Sequence, residues 1–104
     1  VEARVRVWNG AGGALLGDFQ PFPGYQGGLG VAAGDVNGDG AADIALGTDL
    51  GNEPHVKVFS GRGLGEVASF YAYAPGFLGG VRVGVGDLNR DGYADVVTGA
   101  GFGA

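Results

Sequence analysis

An all-β fold of short antiparallel strands is what this sequence predicts, and three observations predict it. The first is composition: glycine supplies 25 of 104 residues, with 4 prolines and a hydrophobic fraction of 45%. A chain this apolar is not disordered, and so much glycine destabilises long helices. The second is alternation: Val81, Val83 and Val85 alternate with Arg82 and Gly84, and Val56 and Val58 flank Lys57, the period-two pattern of half-buried strands. The third is self-similarity: "RVRVWNG" at 4–10 returns as "HVKVFSG" at 55–61, "GDFQPF" at 17–22 as "ASFYAY" at 68–73, and "GGLGVAAGD" at 27–35 as "GGVRVGVGD" at 79–87, at an offset of 51 and then 52 residues.

Taken in order, 4–10 and 15–22 form a strand pair around the turn "GAGG". Residues 28–34, 42–47, 55–60 and 66–73 form four strands, and 80–86 and 94–99 a closing pair. Four strands in a repeat of 40 to 50 residues are the mark of a propeller blade, whose small sheets pack on one another around an axis. The chain therefore reads as two tandem repeats, about 1–51 and 52–104. Its phase is shifted: it opens on the third and fourth strands of one blade and closes on the first and second of another. Joining "GAGFGA" to "VEARVRV" reproduces the internal "GTDLGNEPHVKV" within one residue. The expectation is all-β: β-propeller blades of four antiparallel strands, two blade equivalents per chain, with the ring completed by homo-oligomerisation. Rings hold roughly four to eight blades, so three chains would give six and four would give eight, with four chains favoured. The alternative is a segment of a longer repeat chain whose neighbours complete both half blades, and the absence of an initiator Met fits a processed or excised segment.

Charge and cysteine usage exclude several function classes. The net charge of −5 is local, because six of the eleven acids lie in two short loops. No clustered Lys and Arg make a nucleic-acid footprint. Without cysteine there are neither disulfides nor thiolate metal sites. No apolar run reaches the 18 residues a membrane helix needs, so no membrane insertion is expected, and the first residues carry no signal-peptide pattern.

The chemistry is concentrated in "GDVNGDGAADIALG" (34–47) and "GDLNRDGYADVVTG" (86–99). In D-x-N-x-D-G-x-x-D, oxygens at positions 1, 3 and 5 converge, glycine at position 6 permits the sharp turn, the carbonyl at position 7 points inward, and position 9 adds a carboxylate. The first cage uses Asp35, Asn37, Asp39, the Ala41 carbonyl and Asp43; the second uses Asp87, Asn89, Asp91, the Tyr93 carbonyl and Asp95. The expected cofactor is Ca2+, two per chain. Calcium accepts six to eight oxygens flexibly, magnesium demands a tighter octahedron, and zinc would want Cys or a second His. An EF-hand is excluded, because position 12 is Leu46 or Thr98 instead of Glu and both flanks are β. The competing reading is a pair of metal-free Asx turns, against which stands the mutual repulsion of three crowded carboxylates.

The stretches "VAAGDVNGDGAADIALG", "HVKVFSG" and "VRVGVGDLNRDGYADVVTG" resemble the FG-GAP or VCBS-type repeat of integrin-like β-propellers, and the resemblance covers essentially the whole chain. It implies calcium in the two acid loops, held by the residues named above, and an extracellular or cell-surface setting for adhesion or recognition. The Phe-Gly and Gly-Ala-Pro marks of that family are poorly kept, with "GTDLGNEP" and "GAGFGA" where the second would fall. The function expected is a non-enzymatic, calcium-binding structural or scaffold module, natural or engineered, whose partner is itself. A carbohydrate- or protein-binding propeller of lectin or adhesion type is the alternative. The aromatics Trp8, Phe19, Phe22, Phe59, Phe70, Tyr71 and Tyr73, which mostly recur between repeats, read as inter-blade packing, whereas Tyr25 and Phe77 are the candidates for exposed contacts. His55 has Arg4 as its counterpart and reads as a polar strand-edge residue. No Cys, and no Ser oriented by a His, is evident for nucleophilic catalysis. The segments "GAGG" and "GRGLG" lack the strand-to-helix context of a phosphate cradle.

Overall fold

The computed structural model describes residues 3–25, 27–49, 54–73 and 79–100. Phe77, a sequence candidate for an exposed contact, lies outside them. Eight strands follow one another: β1 (Val5–Trp8), β2 (Leu15–Phe19), β3 (Leu29–Gly34), β4 (Asp43–Thr48), β5 (His55–Phe59), β6 (Glu66–Tyr71), β7 (Val81–Gly86) and β8 (Asp95–Ala100). All pair antiparallel, and no helix occurs among the described residues. They group as β1-β2, β3-β4-β5-β6 and β7-β8. One full four-stranded sheet thus lies between two half sheets, and one chain does not close a ring.

The repeat is kept residue by residue in the pairing. Val5 faces Phe19 and Val7 faces Gly17 across β1 and β2, as Val56 faces Phe70 and Val58 faces Ala68 across β5 and β6. Both pairs carry an irregularity at the same place, between Val7 and Trp8 and between Val58 and Phe59. The β3-β4 hairpin runs from Leu29↔Thr48 to Gly34↔Asp43, and β7-β8 runs from Val81↔Ala100 to Gly86↔Asp95.

Alternation along the central sheet gives it two packing faces. On one, Leu46 and Phe59 meet Val5 and Phe22 in the core cluster, with Val7, Phe19, Leu29 and Ile44 packed around it; the Phe19 and Phe59 rings tilt together with centroids 4.9 Å apart. On the other face β3 and β4 lie against β7. The approach there is too close for side chains: a β-carbon at Gly47 would stand 2.8 Å from the Val81 carbonyl oxygen, and one at Gly34 would overlap the Val85 side chain. Glycine on one sheet and valine on the next is the complementary pattern that lets the sheets stack.

Burial divides the aromatics expected inside. Phe22 and Phe59 are buried, and Tyr73 is half-buried with its hydroxyl donating to the Thr98 carbonyl at 3.2 Å. Trp8, Phe70 and Tyr71 are exposed. Phe70 and Tyr71 lie on β6, the outer edge of the full sheet, so their exposure follows from position. Tyr25 is half-buried: its hydroxyl donates to the Gly28 carbonyl at 2.6 Å and accepts the Asp49 N–H at 2.9 Å, tying down a connection between sheets.

Candidate metal centre

The first acid loop is the tip of the β3-β4 hairpin. Asp35 follows β3 and Asp43 begins β4, so the register Gly34↔Asp43 brings the two ends of the loop together. Gly40 turns the chain between them at φ 87°, and its counterpart Gly92 does the same at φ 90°, a region L-residues with side chains rarely occupy. Asp35 accepts the Gly38 N–H at 2.8 Å on one oxygen and the Gly40 N–H at 2.9 Å on the other. Asp39 accepts from Ala41 at 3.0 Å, and the Asn37 side-chain oxygen accepts from Asp39 at 3.3 Å. The Gly40 bond, foremost, holds the Asp35 carboxyl below its ordinary value of 3.8; partial desolvation opposes it, and the Gly38, Asp39 and Asn37 amides assist. Hydrogen bonds to the charged form favour ionisation.

The structure brings Asp35, Asp39 and Asp43 together: one carboxylate oxygen from each lies within 4.8 Å of the others. Three hard, charged oxygen donors on a tight turn are the donor chemistry a divalent cation such as calcium selects. Asp43 is fully buried, and it does two further things. Its Oδ2 accepts the Val36 N–H at 2.9 Å within the loop, and its Oδ1 accepts the Gly61 N–H at 3.1 Å from the turn after β5. The carboxylate therefore latches the inner hairpin to the outer one. Arg62, next in that turn, places its guanidinium 3.6 Å from the Asp39 carboxylate and donates to the Asp39 carbonyl at 3.0 Å.

The second loop repeats the inner part of this scaffold. Asp87 accepts from Asp91 at 3.1 Å and from Gly92 at 2.9 Å, Asp91 accepts the Tyr93 N–H at 2.9 Å, and Asp95 accepts the Leu88 N–H at 2.9 Å. Among the described residues its three aspartates do not draw as close as the first triad. Asn89 is exposed on this loop. The two loops touch: the Ala94 N–H donates to the Asp35 carbonyl at 2.8 Å, and the Tyr93 ring lies over Gly38, where any β-carbon would collide with it. Tyr93 was expected for its carbonyl; its side chain caps the neighbouring loop, which the motif does not encode.

The chain matches the FG-GAP repeat over residues 27–70 and 79–104, about two-thirds of its length. It belongs to the FG-GAP repeat family. No curated protein and no solved structure gives a significant match. FG-GAP repeats are typically non-enzymatic and typical of extracellular proteins, and no helix among the described residues is long and apolar enough to cross a membrane.

One contact in this FG-GAP chain escaped the sequence reading. His55 Nε2 lies 2.7 Å from the Ser69 hydroxyl, with its ring stacked on Tyr71 at 4.5 Å and edge-on to Phe22 at 5.1 Å. The repeat shows what the pair is for: its counterparts, Arg4 and Asp18, are joined by an ion pair at the same place on the β1-β2 sheet. Two chemically unlike pairs at one cross-strand position share a structural role, holding the outer strands together.

Proposed function

We propose that the chain is a calcium-binding β-propeller module that assembles head to tail with copies of itself into a closed ring and serves as a non-enzymatic scaffold outside the cell. The observation that carries this reading is the unequal burial of equivalent residues. Phe59 is 8% exposed and its counterpart Trp8 57%; Ala45 is 1% exposed and its counterpart Val97 43%. What the full sheet hides, the two half sheets leave open, and the missing cover on each side is what the other side carries.

The space beside β1 is open. Two cavities of about 380 and 450 Å3 lie there, the first between β1 and β3 with Val5, Leu29 and Val31, the second between the β1-β2 pair, the β3-β4 hairpin and the turn after β5 with Val7, Gly17, Ala33, Ile44 and Leu64. A β7-β8 hairpin from a second copy would fill them as the chain's own β3-β4 hairpin covers β5. An exposed strand edge beside apolar surface is otherwise an aggregation hazard, and head-to-tail contacts close into rings when the rotation per subunit permits. One full and two half blades per chain, in four chains, would make eight blades. The acid triad supports calcium as the resident ion, with Asp35, Asp39 and Asp43 holding the first and Asp87, Asp91 and Asp95 the second, joined by Asn37, Asn89 and the carbonyls of Ala41 and Tyr93. The exposed Trp8 would suit a lectin, but its counterpart Phe59 is a core residue, so its exposure belongs to the open edge.

Light scattering in calcium tests the reading, with a mass of four times the 10.3 kDa chain expected. Calcium should also raise the melting temperature and EGTA reverse the rise, the stabilisation being about 2.7 kcal/mol per site at a hundredfold excess over Kd. A monodisperse monomer refutes the assembly, an EGTA-insensitive melt refutes the ion, and repeated sugar binding on a glycan array moves the reading to a lectin.

A further inference from the structure

Asp43 receives a backbone N–H from the next hairpin, and among the described residues its counterpart Asp95 does not. The Gly61 N–H reaches Asp43 Oδ1 at 3.1 Å, while the other oxygen takes Val36 at 2.9 Å. Asp95 keeps the second of these contacts, from Leu88 at 2.9 Å, and among the described residues has no equivalent of the first. The repeat offset carries Gly61 onto Gly10, in the turn after β1. We propose that a second copy of the chain docks by seating its Gly10 on the 87–95 loop, donating the Gly10 N–H to Asp95 Oδ1 and so completing that loop. The proposal rests on the head-to-tail reading above and names its contact.

A steric observation carries it independently of the hydrogen bond. At Gly61 a β-carbon would overlap the Ala42 carbonyl oxygen, so that turn sits flush on the neighbouring strand end. Gly10 meets nothing within 4 Å, and its φ lies outside the left-handed region. Nothing in the chain's own packing restricts Gly10 to glycine. At the junction the Ala94 carbonyl of the chain that receives Gly10 takes the place of Ala42, and there only glycine fits. Gly86 and Gly99 show the same contrast on the other partner: each has open space, whereas their counterparts Gly34 and Gly47 abut Val85 and Val81.

The occupant is a second copy because this chain already holds both halves in register. Transferring Ala45↔Val58 and Gly47↔Val56 by the repeat aligns Val97 of one copy with Val7 of the next, and Gly99 with Val5. Seating Gly10 also fixes the rotamer of Asp95, so an ion in the 87–95 loop binds more tightly in the assembly than in the single chain, and by linkage strengthens docking by the same factor.

The test compares Gly10→Ala with Gly65→Ala by sedimentation velocity over a dilution series in calcium. Gly65 also meets nothing within 4 Å, and its counterpart Ala14 already carries a β-carbon. Wild type and Gly65→Ala should assemble alike, and Gly10→Ala should remain a folded monomer by circular dichroism or need at least about tenfold more protein, the equivalent of 1.4 kcal/mol. Gly10→Ala assembling at the wild-type concentration overturns the contact. A wild-type chain that stays monomeric overturns the head-to-tail reading itself and assigns the open edges to a further repeat of the same family. If Gly10→Ala fails to fold, register decides: a Val7→Cys chain mixed with a Val97→Cys chain should form an intermolecular disulfide on mild oxidation, since cross-strand β-carbons lie within bridging distance. No excess of that cross-link over a Val67→Cys and Val97→Cys control overturns the proposal.

Discussion

Removing the Asp43 carboxylate takes the acceptor from two backbone N–H groups at once, those of Val36 at 2.9 Å and Gly61 at 3.1 Å, at a residue with 0% exposure. A donor shut off from water costs about 1–3 kcal/mol; these two hydrogen bonds are part-buried, so Asp43→Ala should lose about 2–4 kcal/mol before any ion is considered. That is a large share of the roughly 5–15 kcal/mol holding a domain together. The same substitution at Asp95 should be mild. Among the described residues it orphans the Leu88 N–H alone, on a residue 72% exposed, where water replaces the acceptor, and the expected loss is about 0.5–1.5 kcal/mol. Two aspartates at one motif position should thus differ several-fold in what they contribute to stability.

Urea unfolding followed by circular dichroism, in EGTA and at concentrations below assembly, reads the difference without the ion or the second copy. With a slope of about 1–3 kcal/mol per molar urea, the midpoint for Asp43→Ala should fall well below that for Asp95→Ala. Asp43→Asn keeps one acceptor and turns an amide NH2 toward the other donor, so it should fall between wild type and Asp43→Ala; it also supplies a measurable variant if the alanine does not fold. Equal losses at positions 43 and 95, within about 0.5 kcal/mol, would refute the latch and leave both aspartates as ion ligands alone.

Asp39→Ala should abolish or weaken one of two calcium-binding events in titration calorimetry and leave the other in place; loss of both would contradict separately built loops. The Asp35 carboxyl, held by the Gly40 N–H above all, should titrate below 3.8 in a carboxyl-carbon NMR series on calcium-free protein. Because its folded value is depressed, its contribution to stability is complete above the unfolded value and is lost as pH falls through the folded one; titration at or above the unfolded value would refute the hydrogen-bond origin.

The strands were legible because each is a short β-rich run, several with period-two alternation, punctuated by glycine. Their ends were less so. The first, expected over 4–10, stops at Trp8, since Asn9 is already hydrogen-bonded across the turn to Ala14 at 2.7 Å. The acids gathered in the first loop were legible because they all lie within one nine-residue hairpin tip; spacing alone does not set how closely they converge, since among the described residues the second loop, equally spaced, draws its aspartates less close. The partners of those acids were not. Gly61 and Arg62 reach the loop from about twenty residues away, and Tyr93 reaches Gly38 from the next hairpin; strand pairing in one case and sheet stacking in the other bring them there. The His55–Ser69 pair was hidden for the same reason, being a diagonal neighbour across β5 and β6.

This is also why two loops with one motif are unlike sites. A D-x-N-x-D-G-x-x-D loop specifies its own turn and its own carboxylates, but it does not specify what its ninth residue holds on to. In the full sheet, that residue grips the following turn and is buried; in the closing half sheet it is half-buried beside an open strand edge. An ion gathering Asp35 and Asp39 onto the Asp43 carboxylate would tighten a latch within one chain. The same ion on Asp87, Asp91 and Asp95 would tighten a latch that reaches beyond the chain, toward a glycine in the turn after a β1 strand. Under the proposed function, then, calcium in the first loop acts on folding and calcium in the second acts on association. Chelation should accordingly lower the melting temperature of the single chain through one site and raise its assembly concentration through the other.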